Sequence, residues 1–216
     1  MKSVFRYSKK KYNDSLLKLG GIRIGTLHDF RKAEHKQGIS DPNEGKRIIR
    51  HHIPYVNSDD EDSIHLKAIQ MFGVIKVANG LNCTFENVNM AMDFNLPDCF
   101  VYCVSSCLSR NVMGQFEGAD SCVEVVDVMR FFNRLTDTLH RNVPIRDFVL
   151  SEVKYQSRDE VWNNKDLGVH PAFIKESEFS SQFEVRMIWI PKFKDAISPI
   201  ILSDVGLVRF LKVVSV

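Results

Sequence analysis

No stretch of this 216-residue chain is apolar for the roughly 18–20 residues that a helix needs to cross a bilayer. Neither charge is in excess. Lysine and arginine number 29 against 27 acidic residues, and the net +2 gives no electrostatic case for a nucleic-acid or membrane partner, although a local basic patch stays open. Cysteine is sparse and odd in number at five. Cys99, Cys103 and Cys107 recur every fourth position, not in the C-x2-C pairs of a zinc site, and Cys99 and Cys103 read as small core hydrophobes on one face of a strand. There is no Walker loop, no G-x-G-x-x-G, no G-x-S-x-G and no H-E-x-x-H, and the seven histidines stand alone or in polar stretches such as His51-His52. The acidic run at 57–63 lacks the glycine and closing glutamate of an EF-hand loop, so it reads as a solvated turn. The opening MKSVFRYSKKKYND brings charge at once with no apolar region behind it, which predicts no signal peptide and a cytoplasmic protein.

What is present is the composition of a globular domain, 44% apolar and 26% charged, at a length that suits one domain over residues 1–216. Short strand patterns recur at 4–7, 22–26, 47–54, 100–106, 123–126, 148–155, 183–190, 200–202 and 208–214. Two more, at 66–77 and 81–88, flank Asn79-Gly80, the strongest hairpin signal in the chain. A brief helix capped at Asn13 or Asp14 ends at Gly20-Gly21. Behind Asp127, the spacing of Val128, Phe131, Phe132, Leu135 and Leu139 predicts an amphipathic helix. Residues 158–164 read as a polar helix or loop, and 171–175 as a short helix. The polar stretch 29–45, with Gly38, Asp41, Pro42, Asn43 and Gly45, continues no regular element. Many strands, few helices and no regular βαβ alternation predict an α+β domain on antiparallel or mixed sheets.

Candidate chemistry lies on polar residues set into these strands. Arg6 sits in Val4-Phe5-Arg6-Tyr7, where charge is costly unless it is paired or holds an anion. Thr26 ends one strand, and Ser105-Ser106 end another. Gln182, Glu184 and Arg186 alternate with Phe183, Val185 and Met187, so they share one face of a late strand, which either faces solvent or forms a site.

An arginine on the first strand, a serine pair ending a middle strand and a late Q-x-E resemble the R-S-E arrangement of ADP-ribosyltransferases of the bacterial-toxin type. The resemblance implies a split β-sandwich around a cleft, with NAD as the substrate. Arg6 would hold the pyrophosphate, with Tyr7, Thr26 and Ser106 beside it, and Ser105 would steady the site. Gln182 and Glu184 would form the Q-x-E, with Glu184 bonding the ribose and stabilising the oxocarbenium-like transition state as nicotinamide leaves. The sequence departs from the family at Val104-Ser105-Ser106, which lacks the threonine of S-T-S. The acceptor of ADP-ribose would be a protein or a nucleic acid, with the segment 177–181 before Gln182 deciding which and Phe179 available to stack on it.

The segments Asp41-Pro42-Asn43-Glu44-Gly45, Cys103-Val104-Ser105 and 178–186 also resemble, in order, an uncharacterised bacterial family with an N-D-P-F-E-like turn, a C-F-S-like strand and a late E-x-E-x-R strand. That implies a bacterial or phage toxin or defence role, with an antitoxin or defence-system partner. Two other readings fit the residues. Asp41, Glu44 and Glu184 with Lys175 or Arg186 would suit a magnesium-dependent nuclease or phosphodiesterase. Alternatively, Arg6 and Arg186 would be anion anchors of a non-enzymatic module that binds a nucleotide or a protein partner, with Phe30, Phe116 and Trp162 as contact residues.

Overall fold

The computed structural model describes residues 2–32, 40–73, 75, 82–193 and 195–216. Asn79-Gly80 and Gly38 lie outside them. Among the described residues the chain forms β1 (Val4–Ser8), α1 (Lys10–Leu19), β2 (Gly21–Thr26), β3 (Lys46–Asn57), α2 (Ile64–Phe72), β4 (Thr84–Asn95), β5 (Phe100–Ser105), α3 (Arg110–Met113), β6 (Ser121–Val125) and α4 (Val128–His140). There follow β7 (Ile145–Glu152), β8 (Lys154–Tyr155), β9 (Asp159–Val161), β10 (Ile174–Lys175), β11 (Glu184–Pro191), β12 (Ile200–Ser203) and β13 (Leu211–Val214). This is an α+β fold.

The main sheet has eight strands, and β5 is where it divides. Along one edge β5 pairs with β11 from Glu184↔Ser105 to Trp189↔Phe100, and β11 pairs in turn with β7. Along the other edge it meets two strands in succession: β1 only at Phe5↔Ser105, and β2 only at Gly25↔Val101 and Thr26↔Phe100. From there β1 runs on into β6 and β13, while β2 pairs with β12, so the sheet forks. The two prongs are joined by α1. Gly20 ends that helix at φ +63°, and a Cβ there would lie 1.8 Å from the Asp204 carbonyl oxygen, so only glycine fits.

One face of the sheet is apolar. Val4, Tyr102, Val104, Val185, Met187 and Trp189 pack against Leu16 of α1 and against Phe131, Phe132, Leu135 and Leu139 of α4. The heptad-like apolar stripe of α4 supplies that contact, and Asp127 caps the helix by accepting the Arg130 N–H. The opposite face carries a smaller apolar cluster of Leu27, Cys99, Val101, Phe173 and Ile188 beside a group of charges. A second sheet, β4-β3-β9, closes its own core of Ile49, Ile53, Phe72, Met90 and Trp162 with α2.

Several elements differ from the sequence expectation. Part of the stretch read as a strand at 66–77 is the helix α2. Ser63 caps it by accepting the His65 N–H, Gly73 stops it in the left-handed conformation, and Ala68, Ile69 and Phe72 turn inward at helical spacing. The helix α1 starts at Lys10 with no cap from Lys9, its first N–H donating instead to Asp120 Oδ1 at 2.5 Å, and Asn13 is fully buried inside it. Residues 159–161 form a strand parallel to β3. Pro171–Phe173 is a single 3-10 turn leading into β10. Trp162 is a core residue and not a surface contact, at 4% exposure with its indole N–H donating to the Asp166 carbonyl at 3.0 Å.

The α4 contact generates a stability prediction. Phe131→Ala, at a fully buried position, should cost about 3–5 kcal/mol in urea unfolding. Met129→Ala, on the exposed side of the same helix, should stay within about 0.5 kcal/mol of wild type.

Candidate functional site

Where β1 and β2 part, the fork opens a cleft of about 730 Å³. Arg6 and Tyr7 of β1 form one wall, and Arg23 and Gly25 of β2 the other. Tyr102 and Cys103 of β5 form the floor, and the lining also includes Lys9, Phe30, Glu44, Phe116, Glu117 and Arg186. Arg23 is paired with Asp29 at 2.6 Å and Arg186 with Glu44 at 2.6 Å. Among the described residues Arg6 meets no carboxylate. Its Nη1 donates to Asn13 Oδ1 at 2.8 Å and to the Tyr12 carbonyl at 3.4 Å, and Asn13 is held in turn by donating to Ser121 Oγ at 3.0 Å.

Tyr7 is fixed by both capacities of its hydroxyl. It donates to the Cys107 carbonyl at 2.7 Å and accepts the Ser109 N–H at 2.9 Å. Burial pushes its phenol up to about 12, so it stays neutral. Phe116 stacks beside it with ring centroids 6.0 Å apart and planes 16° apart. The Cys103 thiol is pushed well above its ordinary value by burial and by the neighbouring Glu184 carboxylate, so it is no thiolate nucleophile.

Behind the cleft lies a buried ionic cluster. Arg186, 1% exposed, forms a two-pronged pair with Glu44, Nη1 to Oε1 at 2.6 Å and Nη2 to Oε2 at 2.8 Å. Its Nε donates to Glu184 Oε1, and Nη1 also reaches the Ala172 carbonyl at 2.7 Å. Lys175 closes the other side of Glu184, donating to Oε2 at 2.7 Å and to Gln182 Oε1 at 2.8 Å. Arg158 donates to Asp41 Oδ2 at 2.6 Å and to the Ile174 carbonyl at 2.7 Å. Burial alone would raise the Glu184 carboxyl, but Arg186 and Lys175 more than reverse this and hold it far below the usual carboxylate range. Burial alone would likewise discharge Arg186, and the carboxylates of Glu184 and Glu44 keep it firmly protonated. The turn that brings in Asp41 and Glu44 depends on Gly45 at φ +70°, where a Cβ would lie 2.4 Å from Leu27.

The residues singled out from the sequence therefore divide. Arg6 and Tyr7 line the cleft. Ser105 is buried, donating to the Gln182 carbonyl at 2.9 Å and accepting the Cys107 N–H at 3.1 Å. Gln182 and Glu184 belong to the ionic cluster, so the polar face of β11 is neither a solvent face nor an open site. Thr26 is buried with its Oγ1 accepting the Asp29 N–H, and Ser106 is outside the cleft with its N–H on the Phe183 carbonyl. Phe5, Ser105 and Glu184 form one row across three adjacent strands. Arg6, one residue on, falls on the α1 face, so it and Glu184 lie on opposite faces of the sheet. Asp41, Glu44 and Glu184 are each taken up by a cation, which leaves no carboxylate among them free to ligate magnesium. Arg158 and Arg23 were not foreseen. The available signal was the pairing of an anionic D-P-N-E-G turn with cationic residues late in the chain.

Comparison with protein-family profiles, curated proteins and solved structures returned no match.

Removing Arg186 would leave two carboxylates buried beside each other. Arg186→Met should destabilise the protein by about 3–5 kcal/mol. The pH dependence follows from the direction of the Glu184 shift. Its folded value is depressed, so its contribution is present above the ordinary carboxylate range and is lost as pH falls through the folded value. The stability gap between wild type and Glu184→Gln should therefore be constant from about pH 8 to 6 and should shrink below about pH 4, as read by urea unfolding across pH.

Proposed function

We propose that the fork binds a phosphate-bearing nucleotide of the NAD type. The observation that carries this reading is Arg6, a cation in the cleft wall that no carboxylate among the described residues neutralises, with the immobilised pair Tyr7 and Phe116 lining the same cleft from the other face of β1. A guanidinium held by a neutral amide keeps its charge for an incoming anion, and phosphate is the anion that Arg matches best. A flat aromatic pair beside it suits a nucleobase or a nicotinamide ring. The cleft volume of about 730 Å³ falls in the range of small-molecule sites.

A second reading, cleavage of NAD with transfer of ADP-ribose to a protein or nucleic acid, is favoured by the adjacency of the three strands that carry Arg6, Ser105 and Glu184. It makes two demands: Glu184, on the sheet face opposite Arg6 and outside the cleft lining, must come through the fork, and its carboxylate must leave Arg186 or Lys175 to meet a ribose there. A toxin or defence effector with an antitoxin-type partner would follow from this second reading alone.

Calorimetric titration with ADP-ribose and NAD tests the first reading. Both should bind, and Arg6→Ala should weaken ADP-ribose by about tenfold to a hundredfold, the worth of a hydrogen bond to a charged group. Arg146→Ala, on the outer strand β7, should leave binding unchanged. Absence of binding by either ligand sinks the proposal. Release of nicotinamide with label transfer to a macromolecule would select the transferase, and binding without turnover would select the module.

A further inference from the structure

We infer that the fork reads a flat ligand edge that carries a hydrogen-bond donor beside an acceptor, and that the backbone of Cys103 is the group that reads it. The hydrogen bonds of β5 lead there. Ser106 N–H donates to the Phe183 carbonyl at 2.8 Å, so alternate residues Ser106, Val104 and Tyr102 turn their N–H and C=O toward β11. Ser105, Cys103 and Val101 turn theirs to the opposite edge. Leu27 N–H, donating to the Cys99 carbonyl at 2.9 Å, has the same phase. On that edge Val101 faces Gly25 of β2, and Ser105 faces Phe5 of β1. Cys103 lies between them, with neither strand beside it. Extending either register by two places would set Tyr7 or Arg23 opposite Cys103, but both stand back as walls of the cleft. The Cys103 amide and carbonyl thus open into the cleft as an adjacent donor and acceptor.

The length of this free edge decides what fits. From Val101 to Ser105 is roughly 13 Å at about 3.3 Å per residue. One end is closed by β2 and the other by β1, so a peptide cannot add there as a strand. A small group with the complementary pair side by side can. Two parts of an NAD-type ligand have it: the carboxamide of nicotinamide, and the amino and ring-nitrogen edge of adenine. A ring docked there would lie between the Tyr7 side and the Arg23 side of the fork, within reach of the phosphate anchor Arg6.

This inference rests on the nucleotide reading, and two measurements separate their fates. Titrations compare NAD with its nicotinic acid analogue, and ADP with purine riboside 5′-diphosphate, which lacks the 6-amino group. The edge that docks should reveal itself by a loss of about tenfold or more in one pair, with the other pair within about twofold, because a buried partner is left unmated. Amide exchange by NMR is the second measurement. Cys103 should exchange faster than Val104 in the free protein and become at least about tenfold more protected when ligand is saturating. If NAD and ADP bind but neither pair discriminates, or if the Cys103 amide gains no protection, this inference fails while the nucleotide reading stands. If neither ligand binds, both fall.

Discussion

A single guanidinium, that of Arg186, ties together parts of the chain that lie far apart in sequence. It sits at 1% exposure and draws in Glu44 from 142 residues upstream and Glu184 from its own strand. Desolvating an ion costs several kcal/mol, and here every ion is answered: Asp41, Glu44 and Glu184 face Arg158, Lys175 and Arg186. Replacing a buried ionic cluster by an apolar core of equal volume is often neutral or stabilising, so net stability is not what such a cluster chiefly supplies. It fixes the Asp41–Gly45 turn and the start of β11 against the sheet, and Glu44 and Arg186 carry that order to the cleft wall. Among the described residues two nitrogens of Arg158, Nε and Nη1, find no hydrogen-bond partner, which makes it the least satisfied member.

The cleft owes its existence to a different constraint. A strand has two edges, and β5 spends one of them on β11. The other is shared by two strands that run the same way but cannot occupy the same place, so they separate where neither pairs. The opening is lined by apolar residues such as Ile22, Phe30, Val101 and Phe116 around a few charges. Among the described residues, the α1 side answers Arg6 with neutral acceptors, the amide oxygen of Asn13 and the Tyr12 carbonyl.

Periodicity made α4 legible, because Val128, Phe131, Phe132, Leu135 and Leu139 all end in the core. The α+β class was legible for the same reason, many short alternating runs. Where a segment is short and mixed, pattern fails: Leu66, Ala68, Ile69 and Phe72 suit either period, and the Ser63 cap and Gly73 stop were the better guides to α2. The face of β11 was readable as unusual but not as buried, because its partner Glu44 lies far away in sequence and no local rule couples them. The same distance hid Arg158. Arg6 was legible because a charge in a short apolar strand always needs an answer. The gap between the β1 and β2 pairings on one edge of β5, at Cys103 among the described residues, was not, since backbone pairing leaves no mark on residue type.

Both prongs of the fork belong to one uninterrupted stretch, β1, α1 and β2, spanning Val4 to Thr26. Its gauge is consequently set by the ten residues of α1 and by the seat of Gly20 against the Asp204 carbonyl. The strand β5 sees only the two ends of this stretch, at Ser105 and at Phe100–Val101. Lengthening or shortening that one helix would therefore retune the aperture while the frame behind it keeps its shape, which makes the bore of the cleft a nearly independent dimension for evolution to vary.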